Sequence, residues 1–475
     1  MPYADLQEYV ATLDQKGLLR RVRAEVDKDW EIAAVVRRVF QRIPTERRPA
    51  LLFENVRGFT APVAVGIVGG SPTIYATALE CDVAGITARW QQAQAAPLPS
   101  EEVGSGPCQE VVAEGEAVDL GQIPLPGWTV EHDPAPFFTA PCVITHDPET
   151  GERNVGTYRM QLHGPRRAGI GGFHLEGTQH FAIHLRKYRA LGRKMPVAVA
   201  IGPDPTVSLC SVTRLPYGMD ELAVAGGLRG AALKVVRART VDLQVPATAQ
   251  YVLEGWVDPD CLEHEGPFGE FTGYMGAGGN SAVLEVSCLT RRREPIYQAF
   301  LSQMPPSESS CIRGIGRGQQ VLRHLKDYLG LPVRDVYWRE SGGSSACLVV
   351  ALRKDYAAQP QQVMWSVWST YPQFAKWIIV VDDDIDVRDS FEVEWAMSFR
   401  VQPAQDVYVF RDTLAMNLDP AQAPYPVPAD DRSRLIGSKV GIDATRKHEF
   451  PPAALPPRAH LERVDAQWDR YGIER

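Results

Sequence analysis

The sequence predicts a multidomain protein of mixed α+β and α/β class: an N-terminal α/β domain, a central antiparallel β-barrel-like domain and a C-terminal α/β domain. Three observations predict it. Helical and strand periodicities alternate over the first 95 residues, strands joined by short loops dominate from Phe137 to Thr290, and buried strands again alternate with helices beyond Cys347. With 475 residues, 44% hydrophobic and 23% charged, the chain has the composition of an ordinary folded protein with two or three domains.

In the first domain, residues 1–107, Leu6, Tyr9, Val10 and Leu13 fall at helical spacing and Gly17 stops the helix. A strand over 18–22 follows. Asp29 and Trp30 open a second helix with Ile32, Val35, Val36, Val39 and Phe40 on its apolar face. Strands are expected over 51–53 and 62–68. The run Gly66-Ile-Val-Gly-Gly70 resembles part of a nucleotide loop but lacks the full glycine fingerprint and a long following helix, so a tight turn is expected. Residues 96–127, rich in Pro, Gly, Ser and Glu, mark the border.

The central domain, 108–304, opens with a hairpin: a strand over 140–145, a turn at Asp147-Pro-Glu-Thr-Gly151 and a returning strand over 155–162. Asn154 and Arg159 stand at odd separation on it, nominally on opposite faces, unless a bulge or bend brings them to one site. A helix over 177–192, with Thr178 as N-cap and Gly192 as stop, carries His180 in its first turn. A strand over 196–201 leads into an irregular loop through Leu215-Pro-Tyr-Gly218, and Asp220 and Glu221 start the next helix. Strands between 232 and 290 enclose Glu265-Gly-Pro-Phe-Gly-Glu270. Its glycines and proline exclude regular helix or central strand, so a held loop presents two carboxylates. Such a pair suits proton transfer, because repulsion or burial keeps one acid protonated near neutrality. A polar turn is the plainer reading.

Ser307-Glu-Ser-Ser caps a linker helix within 305–330, and Gly314-Ile-Gly-Arg-Gly318 is expected inside that helix rather than in a phosphate loop. The C-terminal domain, 331–450, alternates strands over 347–352 and 377–381 with helices over 361–371 and 391–399. Asp382-Asp-Asp-Ile-Asp386 could bind a divalent cation, but a strand-end Asp run is expected to cap a helix or face water. The tail, 451–475, offers Leu461 and Val464 on a short helix that could dock on a second subunit, giving a homodimer or higher homo-oligomer.

The net charge of −8 and pI near 5.8 argue against a nucleic-acid partner, which needs a basic face. No apolar run reaches membrane-spanning length and no signal-peptide core is visible, so the expected location is cytoplasmic. The eight cysteines show no Cys-x-x-Cys spacing and are expected as free thiols.

By residue type, Asn154, His180 and Glu221 form an O/N/O donor set for Mn²⁺ or Mg²⁺. Four strings, in order and spacing, resemble the UbiD family of prenylated-FMN-dependent (de)carboxylases: Asn154-Val-Gly-Thr-Tyr-Arg159, Gln179-His180, Gly218-Met-Asp-Glu221 and Glu265-Gly-Pro-Phe-Gly-Glu270. Pro305-Pro-Ser-Glu308 and Lys439 add to the likeness. The resemblance implies a flavin-binding central domain, with Arg159, Glu265 and Glu270 as the catalytic set and Asn154, His180 and Glu221 holding the metal against the flavin phosphate. It places Thr157, Tyr158, Gln179, Ser211 and Lys439 with Asn154, Arg159, His180 and Glu221 around the cofactor, and K⁺ as a further candidate near Ser211. The implied reaction is reversible non-oxidative decarboxylation of an aromatic, heteroaromatic or α,β-unsaturated carboxylic acid through a covalent prenylated-FMN adduct, with Glu270 as proton donor. A UbiX-like flavin prenyltransferase would supply the cofactor. Met304, Pro305 and residues near Trp338 are candidates for the substrate wall. Two other classes stay open: a metal-dependent hydrolase with Glu265 or Glu270 as base, and a non-catalytic subunit of a carboxylase complex.

Overall fold

The computed structural model describes residues 3–173, 175, 177–422 and 435–473. The helix Leu6–Gln15 buries Leu6, Tyr9, Val10 and Leu13, and the Asp5 carboxylate accepts from the Glu8 amide at its N-terminus. The helix Glu31–Arg42 buries Ile32, Ala33, Val36 and Phe40. Both flank a four-stranded sheet ordered Leu19–Val22, Ala50–Phe53, Val63–Val65, Tyr297–Ala299. Its last strand returns from beyond the central sheet and pairs in parallel with Val63–Val65.

The central sheet has nine strands, and every pairing is antiparallel. Its path runs Phe137–Phe138, Met160–Gly164, Arg167–Ile170, Gly279–Arg291, Tyr251–Glu265, Met195–Ile201, Pro141–His146, Arg153–Thr157, with Val111–Glu114 beside Gly279–Arg291. The two ends do not pair, so this is an open, half-barrel sheet and not a closed barrel. The chain itself shows how far it curls. Arg153–Thr157 forms one edge and Met160–Gly164 lies next to the other, yet only Tyr158 and Arg159 separate them. Three backbone steps reach at most roughly 11 Å, so the two margins come nearly together.

That step corrects the expected continuous strand over 155–162: the ladder breaks at Tyr158 and Arg159, where the chain crosses the mouth of the half-barrel. Two further differences follow from local hydrogen bonding. The helix His180–Ala190 takes Gln179, not Thr178, as its N-cap, without a side-chain cap bond; the Thr178 hydroxyl instead accepts from Arg214 Nη2 at 3.2 Å. The segment expected as loop contains a helix, Pro205–Ser211, because the Asp204 carboxylate accepts from the Thr206 amide at 2.9 Å and Pro205 sits in its first turn.

The linker helix Glu308–Arg323 is capped by Ser307 and contains the 314–318 glycines within its turns. Its first residue explains the earlier glycine run. Glu308 is 0% exposed, and its carboxylate accepts from the amides of Gly66 at 2.8 Å, Val68 at 3.3 Å and Gly69 at 3.2 Å. The turn is an anion-binding nest filled by the protein's own carboxylate. A Cβ on Gly69 would lie 2.4 Å from Ile312 Cγ1, so glycine is required for this approach. Burial outweighs the amide bonds and pushes the Glu308 carboxyl up to about 7.

The C-terminal sheet is ordered Val333–Trp338, Cys347–Leu352, Trp377–Asp382, Ile436–Ala444, Val407–Leu414. Two aspartates of the run at the end of Trp377–Asp382 are paired: Arg400 Nη1 reaches Asp382 at 2.7 Å and Asp384 at 2.9 Å, and Arg446 also pairs with Asp384. The tail helix Arg458–Asp465 leaves Leu461 and Val464 exposed. All eight cysteines are free, and among the described residues no helix is long and apolar enough to cross a membrane.

Glu308→Ala orphans three buried amides, which is expected to cost about 3 kcal/mol. The check is the midpoint of chemical unfolding, and an unchanged midpoint would show that the nest does not hold the linker helix to the first domain.

Candidate active site

The crossing step delivers Arg159 into the mouth of the half-barrel. Its guanidinium makes a two-toothed pair with Glu265, Nε to Oε1 at 2.9 Å and Nη2 to Oε2 at 2.9 Å, and Nη1 pairs with Glu270 Oε1. Glu265 is the last residue of its strand, and Glu270 follows in a loop whose amides are engaged locally: Gly266 N–H donates to Gln161 Oε1 at 2.8 Å and Glu270 N–H to the Tyr274 carbonyl at 2.9 Å. The backbone is held and the two carboxylates converge on one cation. Gly171, whose amide donates to the Arg159 carbonyl at 3.0 Å, must be glycine, since a Cβ there would lie 2.2 Å from Glu265 Oε1. Phe268 lies beneath the guanidinium, 5.3 Å from its carbon to the ring centre. Burial pushes the Arg159 pKa down, but Glu265 and Glu270 outweigh it and hold the pKa above its ordinary value.

On the other side of the step stand Asn154, His180 and Glu221. Asn154 and Glu221 are each 3% exposed. Glu221 Oε2 accepts from the Val155 amide at 2.8 Å, while Oε1 lies 4.0 Å from His180 Nδ1. Burial raises Glu221 to about 7, and burial followed by Arg214 lowers His180. The amide nitrogen of Asn154 and the Gln179 side-chain oxygen are buried without a partner. A buried carboxylate short of counter-charge, facing a neutral imidazole, fits a divalent cation of the Mn²⁺ or Mg²⁺ kind.

The two groups line two adjoining cavities. One, of about 390 Å³, is walled by Asn154, Gln179, His180, Glu221 and Asn417. The other, of about 450 Å³, is walled by Arg159, Phe268, Glu270, Phe271, Arg313 and Arg317. Thr157, Tyr158, Ser211 and Arg214 border both, making one two-lobed cleft of a size suited to an elongated organic cofactor and a small substrate. The Thr157 and Ser211 hydroxyls lie 2.7 Å apart at the junction.

Lys439 stands apart. It lines a separate cavity of about 160 Å³, and its buried ammonium donates to the Phe374 carbonyl at 2.6 Å, with burial lowering it to about 8. Of the surroundings named for the substrate wall, Trp338 itself is 1% exposed within the C-terminal core, and Met304 is half-exposed against Gly273. The linker helix lines the larger lobe through Ile312, Arg313 and Arg317. Sequence reasoning missed these arginines although Arg313 precedes the glycine run it singled out and Arg317 lies within it; their helical spacing, with Gly316 between, was the available signal.

Comparison with known proteins agrees with this architecture. The 3-octaprenyl-4-hydroxybenzoate carboxy-lyase N-terminal, Rift-related and C-terminal domains match residues 10–94, 101–305 and 313–444. An uncharacterized protein of Synechocystis sp. is 33% identical, over 99% of this chain and 96% of its own. The UbiD-class enzyme HmfF from Pelotomaculum thermopropionicum, in complex with FMN, is 31% identical over 97% of this chain and 99% of its own, with a TM-score of 0.86. Vanillic acid decarboxylase from Sedimentibacter hydroxybenzoicus in open form is 27% identical over 100% of both chains, TM-score 0.83; its closed form gives 0.79. Fold, cleft and these matches define a carboxy-lyase. The chain belongs to the UbiD family.

Arg159→Met would strand two carboxylates at the mouth of the half-barrel, with an expected loss of about 3–5 kcal/mol of stability. Arg159→Lys should recover only part of it, because an ammonium cannot reproduce the fork on Glu265. Unfolding curves of the two variants check this; equal stabilities would remove the bidentate pair as a structural constraint.

Proposed function

We propose that the protein catalyses the reversible non-oxidative decarboxylation of an aromatic, heteroaromatic or α,β-unsaturated carboxylic acid, with prenylated FMN as cofactor and Glu270 as proton donor. The observation that carries this reading is the shared guanidinium of Arg159 between Glu265 and Glu270 at the wall of the larger lobe. Asn154, His180 and Glu221 would hold Mn²⁺ or Mg²⁺ against the cofactor phosphate in the smaller lobe. Thr157, Tyr158, Gln179 and Ser211 would line the path between, with K⁺ a further candidate ion near Ser211. When bound, the cofactor supplies the electron sink for the carbon that loses carbon dioxide.

The chain's own residues do the rest. Arg159 attracts the substrate carboxylate while its fork stays paired with Glu265. The bond from the ring or vinyl carbon to the carboxylate breaks, carbon dioxide leaves, and the electron pair stays with the substrate carbon. Glu270 gives that carbon a proton and regains one from solvent. In the carboxylation direction Glu270 removes the same proton as a base.

A hydrolase would need its carboxylate base beside the metal donors. Glu270 instead faces the other lobe and is committed to Arg159, which disfavours that reading. The intact Arg159, Glu265 and Glu270 set likewise disfavours a non-catalytic subunit. The proposal takes a UbiX-like flavin prenyltransferase as cofactor source, a cytoplasmic setting, and a homodimer or higher oligomer using the exposed tail helix.

Protein produced together with a flavin prenyltransferase should carry prenylated FMN by absorption and released-cofactor mass, and metal-loaded protein that never holds flavin would overturn the proposal. Glu270→Gln should retain flavin while turnover falls by about 10³-fold. His180→Ala should lower retention of both flavin and Mn²⁺.

A further inference from the structure

The three elements that carry Asn154, His180 and Glu221 share a second meeting point. Asp147 stands in the turn of the hairpin whose returning strand holds Asn154, Lys187 stands on the helix that His180 begins, and Tyr217 lies four residues before Glu221. None of the three lines either lobe of the cleft. The Asp147 carboxylate is buried; its Oδ2 accepts from Lys187 Nζ at 2.6 Å and from the Tyr217 hydroxyl, and its Oδ1 accepts from the Glu149 amide at 2.9 Å. Burial pushes the Asp147 carboxyl up, but Lys187 and Tyr217 outweigh it and hold it below its ordinary value. The turn is closed by its own backbone, Asp147 N–H to the Glu152 carbonyl at 2.8 Å and Gly151 N–H to the Asp147 carbonyl at 2.9 Å. Asp147 is thus a fixed point to which the other two are tied.

Tyr217 carries that anchorage to the metal donors. His180, His184 and Lys187 fall on one face of their helix, at four- and three-residue steps. The Tyr217 ring stands edge-on to His180, with ring centres 5.0 Å apart and planes at 84°, and edge-on to His184 at 6.0 Å and 78°. His184 is itself buried, with Nδ1 2.9 Å from Thr145 Oγ1 on the hairpin.

The three donors are not tied alike. Asn154 and Glu221 are joined through their neighbours: Glu221 accepts from the Val155 amide, and Arg153 pairs with Asp220 at 3.3 Å. A metal-binding histidine is ordinarily oriented by a hydrogen bond from its second ring nitrogen. Among the described residues His180 has none, and its Nδ1 lies 4.0 Å from Glu221 Oε1, beyond hydrogen-bond reach. Packing therefore sets its ring, and the aromatic ring against it is Tyr217.

We infer that Tyr217 is a positioning residue for the metal end of the cleft: anchored by Asp147 and Lys187, it sets the His180 ring relative to Asn154 and Glu221 and so governs how tightly the divalent cation is held, without touching cofactor or substrate. The inference rests on the metal-binding part of the proposed function and deepens it by naming what controls that site.

The test is Mn²⁺ affinity, read apart from turnover. Full-length protein stripped of divalent cations by a chelator is titrated with Mn²⁺ in saturating FMN, and free ion is counted by electron paramagnetic resonance. Tyr217 is 41% exposed, and Asp147 keeps Lys187 and the Glu149 amide without it, so Tyr217→Phe leaves the fold intact. Tyr217→Phe is expected to weaken Mn²⁺ about 10-fold and Tyr217→Leu about 100-fold, with an altered bound-Mn²⁺ spectrum and an unchanged unfolding midpoint for Tyr217→Phe. Asp147→Asn should weaken it about as much as Tyr217→Phe, and the double variant no more than about twofold further, because both act through one contact. Wild-type affinity and spectrum in Tyr217→Phe and Tyr217→Leu would overturn the inference and leave the metal assignment standing. Losses that multiply in the double variant, or that follow a falling unfolding midpoint, would make the role one of general stability and also overturn it. Unaltered protein that takes up no Mn²⁺ would overturn the inference together with the metal assignment. Weakened Mn²⁺ in the variants of a protein that releases no carbon dioxide from any acid would support the inference while counting against the reaction.

Discussion

The pairing of Arg159 with Glu265 and Glu270 is the constraint on which the site depends. One guanidinium bridges two carboxylates that lie 106 and 111 residues further along the chain, at the point where the open sheet comes back on itself. Without a cation between them, two acids in a half-buried loop would repel each other and move apart. With it, the loop after Glu265 has a defined position, and the glycines around it are explained by how closely the backbones approach. The same crossing segment places Asn154 on one lobe and Arg159 on the other, so a single short stretch divides the cleft into a polar, metal-suited end and an aromatic, reactive end.

Much of this was legible in the sequence, where local chemistry decides structure. The acidic loop declared itself through its glycines and proline, the linker helix through Ser307, and the helix at Glu221 through Asp220. The hairpin alternation put Asn154 and Arg159 on opposite faces, and only the break between Thr157 and Met160 resolves that conflict. Such a break is set by sheet topology, which no local window contains. The glycines at 66–70 were read correctly as a turn, but the carboxylate that fills it is Glu308, far along the chain. The arginines of the linker helix escaped notice because a helix face has a meaning only once its neighbour is known. The separate cavity of Lys439 is formed by segments of the C-terminal domain that meet only on folding, which is likewise a tertiary matter.

The three domains contribute unequally to the cleft. The central domain supplies Glu270, Arg159, Asn154, His180 and Glu221, the linker helix supplies one wall, and the C-terminal domain adds Gln373, Asn417 and Leu435 at the rim of the smaller lobe. Asn154 and Glu265 stand on strands of the sheet, whereas Arg159, Glu270, His180 and Glu221 stand on the connections and helix starts at its mouth.

The fourth strand of the N-terminal sheet has a consequence for the birth of the protein. Val63–Val65 is the partner of Tyr297–Ala299, so the first domain leaves the ribosome with an unfinished margin of unpaired amides and carbonyls. At ordinary rates of synthesis the missing strand follows roughly 10–50 s later. During that interval the nascent domain has a sticky border and no Glu308 to fill its glycine nest. The order in which the chain is made therefore differs from the order in which it can be completed, and maturation of the first domain awaits nearly the whole of the second.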